Sequence, residues 1–153
     1  MRHFTPWEFG DWYSLIRPDL LDALDEFRDQ WGQPVVIRYR WDGPDVAGRL
    51  GRHQGPDSTS DHNVDRWGEV RGIDCFPQGM RNRANMERAI QLATDIGVTA
   101  IGVYPDWSPS PGLHLGMRPD RRKGSPATWG GIRLADDKPQ QITSMVVALE
   151  RAA

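Results

Sequence analysis

Two histidines and one aspartate stand out by where the chain puts them. His62 closes the polar run Ser58-Thr59-Ser60-Asp61-His62, shortly before Gly72-Ile73-Asp74-Cys75. His114 lies between Leu113 and Leu115 in another short apolar segment. A polar or charged group among apolar neighbours is costly unless it is hydrogen-bonded, paired or bound to a metal. Two imidazoles and one carboxylate are the ligand set of an open zinc site, with the fourth position left to water. Such an ion lowers the pKa of that water towards ~7 and makes hydroxide available near neutral pH. The spacing is not that of a zinc-binding helix, since no His-Glu-x-x-His run occurs. Residue types alone therefore leave a second arrangement open, a hydrogen-bonded cluster without metal. The other two histidines carry less. His3 sits near the terminus, and His53 lies among Gly51, Arg52 and Gly55 and reads as solvent-facing.

Regular elements must hold these residues. Thr5-Pro6-Trp7-Glu8 has the cap, first-turn proline and capping-box glutamate of a helix start. Leu20, Leu21, Leu24, Phe27 and Trp31 recur at helical spacing over 18–32, which Gly32 ends. Residues 34–40 read as a strand and 41–69 as a long polar loop. Loops of that length inside a compact domain are usually functional or disordered. Residues 70–76 read as a strand, 82–96 as a second amphipathic helix closed by Gly97, and 99–104, 113–117 and 128–134 as further strands. Pro139 opens a last helix over 139–152, with Ile142, Met145, Val146 and Leu149 on one side. The order predicts a single α+β domain: a small, mainly antiparallel sheet with helices packed on one face.

The 153 residues make one ordinary domain. Lys plus Arg number 19 and Asp plus Glu 21, so the net charge is -2. That balance argues against nucleic acid or an anionic membrane surface as the main partner. No apolar run reaches the ~18 residues of a membrane span, and the N-terminus does not read as a signal peptide. The single cysteine, Cys75, excludes an internal disulfide framework and a cysteine-rich zinc site.

Several segments, in chain order over about residues 3 to 130, resemble one family of zinc peptidases. His3-Phe4-Thr5-Pro6-Trp7-Glu8-Phe9 resembles its N-terminal segment. The 18–32 helix with Arg28, followed by Gly32-Gln33-Pro34-Val35-Val36-Ile37, resembles its helix and first core strand. Tyr39-Arg40 matches a Tyr-Arg after that strand. Ser60-x-His62 with Gly72-x-Asp74 resembles its Ser-x-His and Asp signature. Gly102-Val103-Tyr104-Pro105 and Leu113-His114-Leu115 resemble its last strand pair, and Arg118 and Trp129 fall where the family often has Arg and Trp. The family contains bacterial D-alanyl-D-alanine carboxypeptidases and phage L-alanyl-D-glutamate endolysins, and hedgehog signalling domains share its fold.

The resemblance implies a hedgehog/DD-peptidase-like fold and a Zn2+ ion held by His62, Asp74 and His114. It implies that Arg40 holds a substrate carboxylate or carbonyl, a task that suits a planar, permanently charged fork. Ser60 would support the site through a hydrogen bond. Trp107, Trp67 and Trp41 lie in loops expected to rim the site, where they either stack on sugar rings or pack; Trp107 is taken as substrate-binding. The basic run Arg118 to Lys123 reads as a solvated loop, with anionic glycan or stem peptide as the alternative.

The sequence departs from the family in several places. Twelve positions separate His62 from Asp74, more than in the family, so 63–71 holds an insertion, read as a hairpin tip around Trp67-Gly68. Pro111 stands where endolysin members carry an acidic base, and Gly116 where many relatives have an aspartate. A zinc hydrolase needs groups to take and return protons. The acids on offer are Asp106, Asp61 and Glu69, and Asp106 is favoured because its loop precedes the His114 strand.

The resemblance thus points to a zinc peptidase acting on peptidoglycan stem peptides, as a carboxypeptidase or an endolysin-type endopeptidase. Without a signal peptide, it suits a phage or prophage enzyme kept in the host cytoplasm until lysis, or one carried on the virion. The empty acidic positions motivate the alternative of a virion structural or cell-wall-binding module on the same fold, in contact with other virion proteins.

Overall fold

The computed structural model describes residues 1–152. It is α+β: a six-stranded, mostly antiparallel open sheet with four helices. The strands are β1 (Val35–Val36), β2 (Gly72–Pro77), β3 (Ala100–Tyr104), β4 (Gly112–Gly116), β5 (Ala127–Ile132) and β6 (Gln141–Thr143). The helices are α1 (Pro18–Trp31), α2 (Val64–Trp67), α3 (Arg83–Ile96) and α4 (Met145–Arg151). The sheet runs β1-β2-β4-β3-β5-β6, and only the β3–β5 pair is parallel. α3 packs on β3, α4 on β3 and β5, and α1 against α3.

The long helices form where apolar spacing and stop signals agree. α1 buries Leu20, Leu24, Phe27 and Trp31, and Gly32 ends it in the left-handed region at φ 80°. α3 is capped by the Asn82 side chain, which accepts from the Asn85 N–H at 2.9 Å. The segment from Pro6 begins as expected, with Glu8 accepting from the Thr5 N–H at 2.7 Å. It winds as a 3-10 helix to Leu15 with a kink at Gly10.

Strand alternation divides the sheet into two surfaces. Ile73, Cys75, Ile101, Val103, Leu113 and Leu115 enter the hydrophobic core, while Asp74, Gly102 and His114 occupy the intervening positions. The pairing sets Asp74 opposite His114, His114 opposite Gly102, and Gly102 opposite Trp129. One row across four strands therefore reads Asp74, His114, Gly102, Trp129.

Three expectations are corrected. The first strand is only Val35–Val36, because pairing with β2 stops at Phe76 and the chain then turns. Residues 63–71 form no hairpin tip. Asn63 caps the single turn α2, and Gly68 closes it at φ 69°. No helix spans 139–152. Residues 141–143 pair with β5, and the helix starts only after Ser144, whose hydroxyl accepts from the Val147 N–H at 3.2 Å. Ala148 and Leu149 are buried, but Ile142 and Val146 are 67% and 60% exposed, so the expected stripe is split between two elements. Among the described residues no helix is long and apolar enough to cross a membrane.

Candidate metal centre

His62, Asp74 and His114 converge, all three buried, with one ligand atom from each within 4.8 Å of the others. His62 Nε2 lies 3.3 Å and His114 Nδ1 3.0 Å from the same Asp74 oxygen, Oδ1. The two imidazoles meet edge to face at 80°. Zinc bonds of ~2.0–2.1 Å in tetrahedral array require ligand atoms a little over 3 Å apart, which is the spacing around Asp74.

The rear nitrogens strengthen the fit. His62 Nδ1 lies 2.6 Å from the Leu50 carbonyl. A carbonyl can only accept, so Nδ1 donates to it and Nε2 is the nitrogen turned towards Asp74. His114 Nε2 lies 3.0 Å from Asp61 Oδ2, so Nδ1 is the nitrogen that would bind a metal, on loss of its proton. Metal-binding histidines are typically oriented from behind by a carbonyl or carboxylate in this way. Arg118 in turn grips Asp61, with Nε 2.9 Å from Oδ1 and one terminal nitrogen 2.9 Å from Oδ2. Arg52 reaches the second Asp74 oxygen at 3.5 Å. The donor set can therefore hold a metal ion, and nitrogen–oxygen coordination suits zinc among others.

The electrostatics follow from the burial of this network. Burial alone would raise the Asp61 carboxyl, but His114 and Arg118 outweigh it and hold the group down to about 2. Asp74 is likewise held far below the usual carboxylate range against its burial, by His62 and His114. Burial alone would lower His114, yet Asp61 and Asp74 raise it to about 9 without a metal.

Local backbone bonds make the arrangement. The segment before His62 is a loop, but it is stitched down. The Arg52 N–H bonds the His62 carbonyl at 2.8 Å, the Arg71 N–H the Asp61 carbonyl at 2.8 Å, and the Asp74 N–H the Arg49 carbonyl at 2.8 Å. Asn63, fully buried, donates to the Gly55 and Ser58 carbonyls and accepts from the Gln54 and Asp65 amides. Glycine clears the floor. A Cβ on Gly72 would stand 2.5 Å from the His114 ring, and one on Gly102 2.6 Å from Trp129 Nε1. Trp129 covers His114 with ring centroids 5.1 Å apart and donates to the Tyr104 hydroxyl at 2.6 Å. Burial pushes that phenol up to about 12.

The other expected site residues divide. Ser60 lines the cluster cavity, of about 240 Å3, and its hydroxyl accepts from the His62 N–H at 3.3 Å. Trp107 lines it too, stacked on Tyr104 at 3.9 Å with its Nε1 on Gln140. Arg40 is exposed and does not line the cavity, because β1 ends early and the chain turns at Arg40. Asp106 is engaged elsewhere: its Oδ2 accepts from the Arg133 N–H at 2.8 Å and from the Arg151 guanidinium of α4. Glu69 is taken by Arg17 at 2.8 Å. Trp67 donates to the Ser60 carbonyl and lies under the Arg71 guanidinium. His3 and His53 pair with Asp29 and Asp65. Cys75 faces the core, where burial pushes its thiol up, away from the thiolate a metal would need.

Sequence reasoning missed Arg52 and Asn63, gave Asp61 the wrong emphasis, and had only a positional hint for Arg118 and Trp129. A usable signal was Asp61 next to His62, since a carboxylate there moves with the ligand. Comparison of the chain with protein-family models, with curated proteins and with solved structures found no match.

Proposed function

We propose that the protein is a zinc-dependent peptidase acting on peptidoglycan stem peptides, built on a hedgehog/DD-peptidase-like fold and encoded by a phage or prophage. The observation that carries this reading is the convergence of His62 Nε2, Asp74 Oδ1 and His114 Nδ1, with Leu50 and Asp61 engaging the rear nitrogens. When bound, zinc supplies Lewis acidity, polarising a carbonyl and making water acidic enough to yield hydroxide near neutral pH.

The chain's own residues do the rest. Arg118 fixes Asp61, and Asp61 fixes the His114 ring. Arg52, whose side chain is partly exposed beside Asp74, takes the substrate-anchoring role expected of Arg40. Tyr104 accepts the Trp129 N–H and so keeps its own proton for donation into the cavity, to a developing oxyanion or a leaving amine. Trp129 and Trp107 cover the flanks and limit water.

One observation favours a second reading, a metal-holding binding module without turnover. Among the described residues, the carboxylates lining the cluster cavity are Asp61 and Asp74, and both are engaged. Mass spectrometry of purified peptidoglycan after incubation with zinc-loaded protein separates the two. The peptidase reading expects stem peptides that are shortened at the C-terminus or cut internally, an effect abolished in Asp74→Ala. Intact stem peptides with about one zinc per chain would establish the binding module instead.

A further inference from the structure

A second cavity, of about 560 Å3, opens beside the metal centre and shares Asp74, Arg52 and Trp107 with it. Its wall is a chain of aromatic rings. Trp41 lies flat on Tyr39 at 4.6 Å and 4°, Tyr39 tilts against Phe76 at 5.5 Å, and Phe76 against Trp107 at 5.9 Å. Trp107 then stacks on Tyr104. Trp41 is 73% exposed. One indole face is covered by Tyr39, and the other is open. A large aromatic surface left in water beside a cavity marks a contact site.

The loop that shapes this wall is held rigidly. Val46 and Ala47 adopt φ of 52° and 53°, a left-handed conformation that is costly for a β-branched residue. It persists because the Val46 side chain is fully buried and Asp45 accepts from the Ala47 N–H at 3.1 Å. Asp42 accepts from the Tyr39 N–H and pairs with Arg49, which lies over the Tyr39 and Phe76 rings. The aromatic wall is therefore preorganised.

Charge narrows the ligand. Asp42 is neutralised by Arg49, and Asp74 faces Arg52. Asp45 has no cationic partner among the described residues, so Asp42, Asp45 and Asp74 against Arg49 and Arg52 leave the groove with one net negative charge, which disfavours a phosphate or a nucleic acid. What remains is the exposed Trp41 face, the half-buried Trp107 ring along the same wall, and planar polar groups beside them, Arg52, Asp45 and Gln140. A neutral pyranose fits both features. Its C–H face packs on indole, and its hydroxyls meet planar donors and acceptors in pairs.

We infer that this groove is a saccharide subsite, in which Trp41 and Trp107 stack a neutral sugar ring adjoining the metal centre. The platform itself stands without the peptidase reading; the choice of an N-acetylated hexosamine as the sugar rests on it.

The test uses full-length zinc-loaded protein and chitotriose, a β-1,4-linked trimer of N-acetylglucosamine, followed by calorimetry and indole chemical shifts. Saturable binding is expected, with the Trp41 indole signal moving. Trp41→Ala should weaken binding about tenfold at unchanged melting temperature and zinc content. Trp67→Ala, at a residue that lines neither this groove nor the cluster cavity, should leave binding unchanged. No saturable binding, or binding indifferent to both Trp41→Ala and Trp107→Ala, overturns the subsite. So does a free stem tetrapeptide that moves the Trp41 signal when chitotriose does not. Stem-peptide hydrolysis without chitotriose binding removes the subsite and leaves the peptidase; chitotriose binding without hydrolysis does the reverse.

Discussion

On β2, β4 and β3 the core-facing residues are Ile73, Cys75, Leu113, Leu115, Ile101 and Val103, and neighbouring positions on the same strands hold Asp74, His114 and Gly102. The first set is held by volume and contact, so any apolar group of similar shape would serve. In the second, Asp74 and His114, joined by His62 from its loop, are held by directed bonds to distant segments: Arg52 to Asp74, Asp61 (itself fixed by Arg118) to His114, and the Leu50 carbonyl to His62. Strand alternation thus lets one sheet carry two kinds of interaction that fail differently. Damage to the core should cost fold stability, and damage to the polar surface should cost metal affinity while the fold survives.

The largest expected effects set the two surfaces side by side. His114→Ala should reduce zinc affinity by more than about 10³-fold in a protein that still folds, because a three-ligand site loses one ligand. Leu113→Ala, the adjacent residue, should lose about 2–5 kcal/mol of stability through cavity formation, yet bind zinc normally when folded. Zinc titration and urea unfolding of both variants decide the matter, and full zinc occupancy in His114→Ala would remove it from the ligand set.

Asp61→Asn should come next. It weakens the support behind His114 and the Arg118 pair, so zinc affinity should fall about 10- to 100-fold, with a melting loss smaller than that of Leu113→Ala. A melting loss as large as that of Leu113→Ala would mean that Asp61 belongs to the structural set instead.

A third contrast uses a buried carboxylate away from the metal. Asp25 on α1 accepts from the Arg2 and His3 N–H groups at 2.8–3.0 Å. Burial alone would raise it, but those bonds bring it below its ordinary value of 3.8. Its contribution is therefore present above 3.8 and lost as pH falls through the lower folded value. The protection of the residue 2–4 amides, relative to their intrinsic exchange rate at each pH, should fall on acidification below that point, and Asp25→Asn should flatten the dependence. Protection at the terminus that ignores pH would show that other contacts hold it.

The smallest effect belongs to Asp106. Asp106→Asn should lower stability by about 1 kcal/mol or less by loosening α4, without changing zinc content or any hydrolysis. A large loss of hydrolysis at constant stability would return Asp106 to the catalytic set.

The sequence made the central strands, α1 and α3 legible because apolar spacing, caps and terminal glycines agree there. It misled at 139–152, where Ile142, Met145, Val146 and Leu149 keep helical spacing although Ile142 belongs to a strand. Pairing with Gly131 and the cap at Ser144 decide that segment, and no local pattern encodes a partner in β5. The same reason separates the site residues. His62, Asp74 and His114 were readable because polar residues at the border or inside of apolar segments need a purpose. Arg52 was not, since it reaches Asp74 only through backbone bonds that fold its loop onto β2. Arg40 rested only on the resemblance of Tyr39-Arg40 to a family Tyr-Arg pair, and a turn after the short β1 carries it out to solvent.

The three ligand-bearing positions also impose an order in time. Asp74 and His114 stand forty residues apart in the chain and meet only when the β3–β4 pair joins β2. A chain emerging from the ribosome holds His62 and Asp74 long before His114 exists, and it presents β2 with one side unpaired. Capture of a metal by all three side chains would therefore be a late event, reserved for molecules whose central strand is already in place. Because the unfolded chain lacks this site, whatever affinity the ion has for the completed set acts as folding free energy. Removing a bound ion would consequently lower the melting temperature of a chain that is still folded.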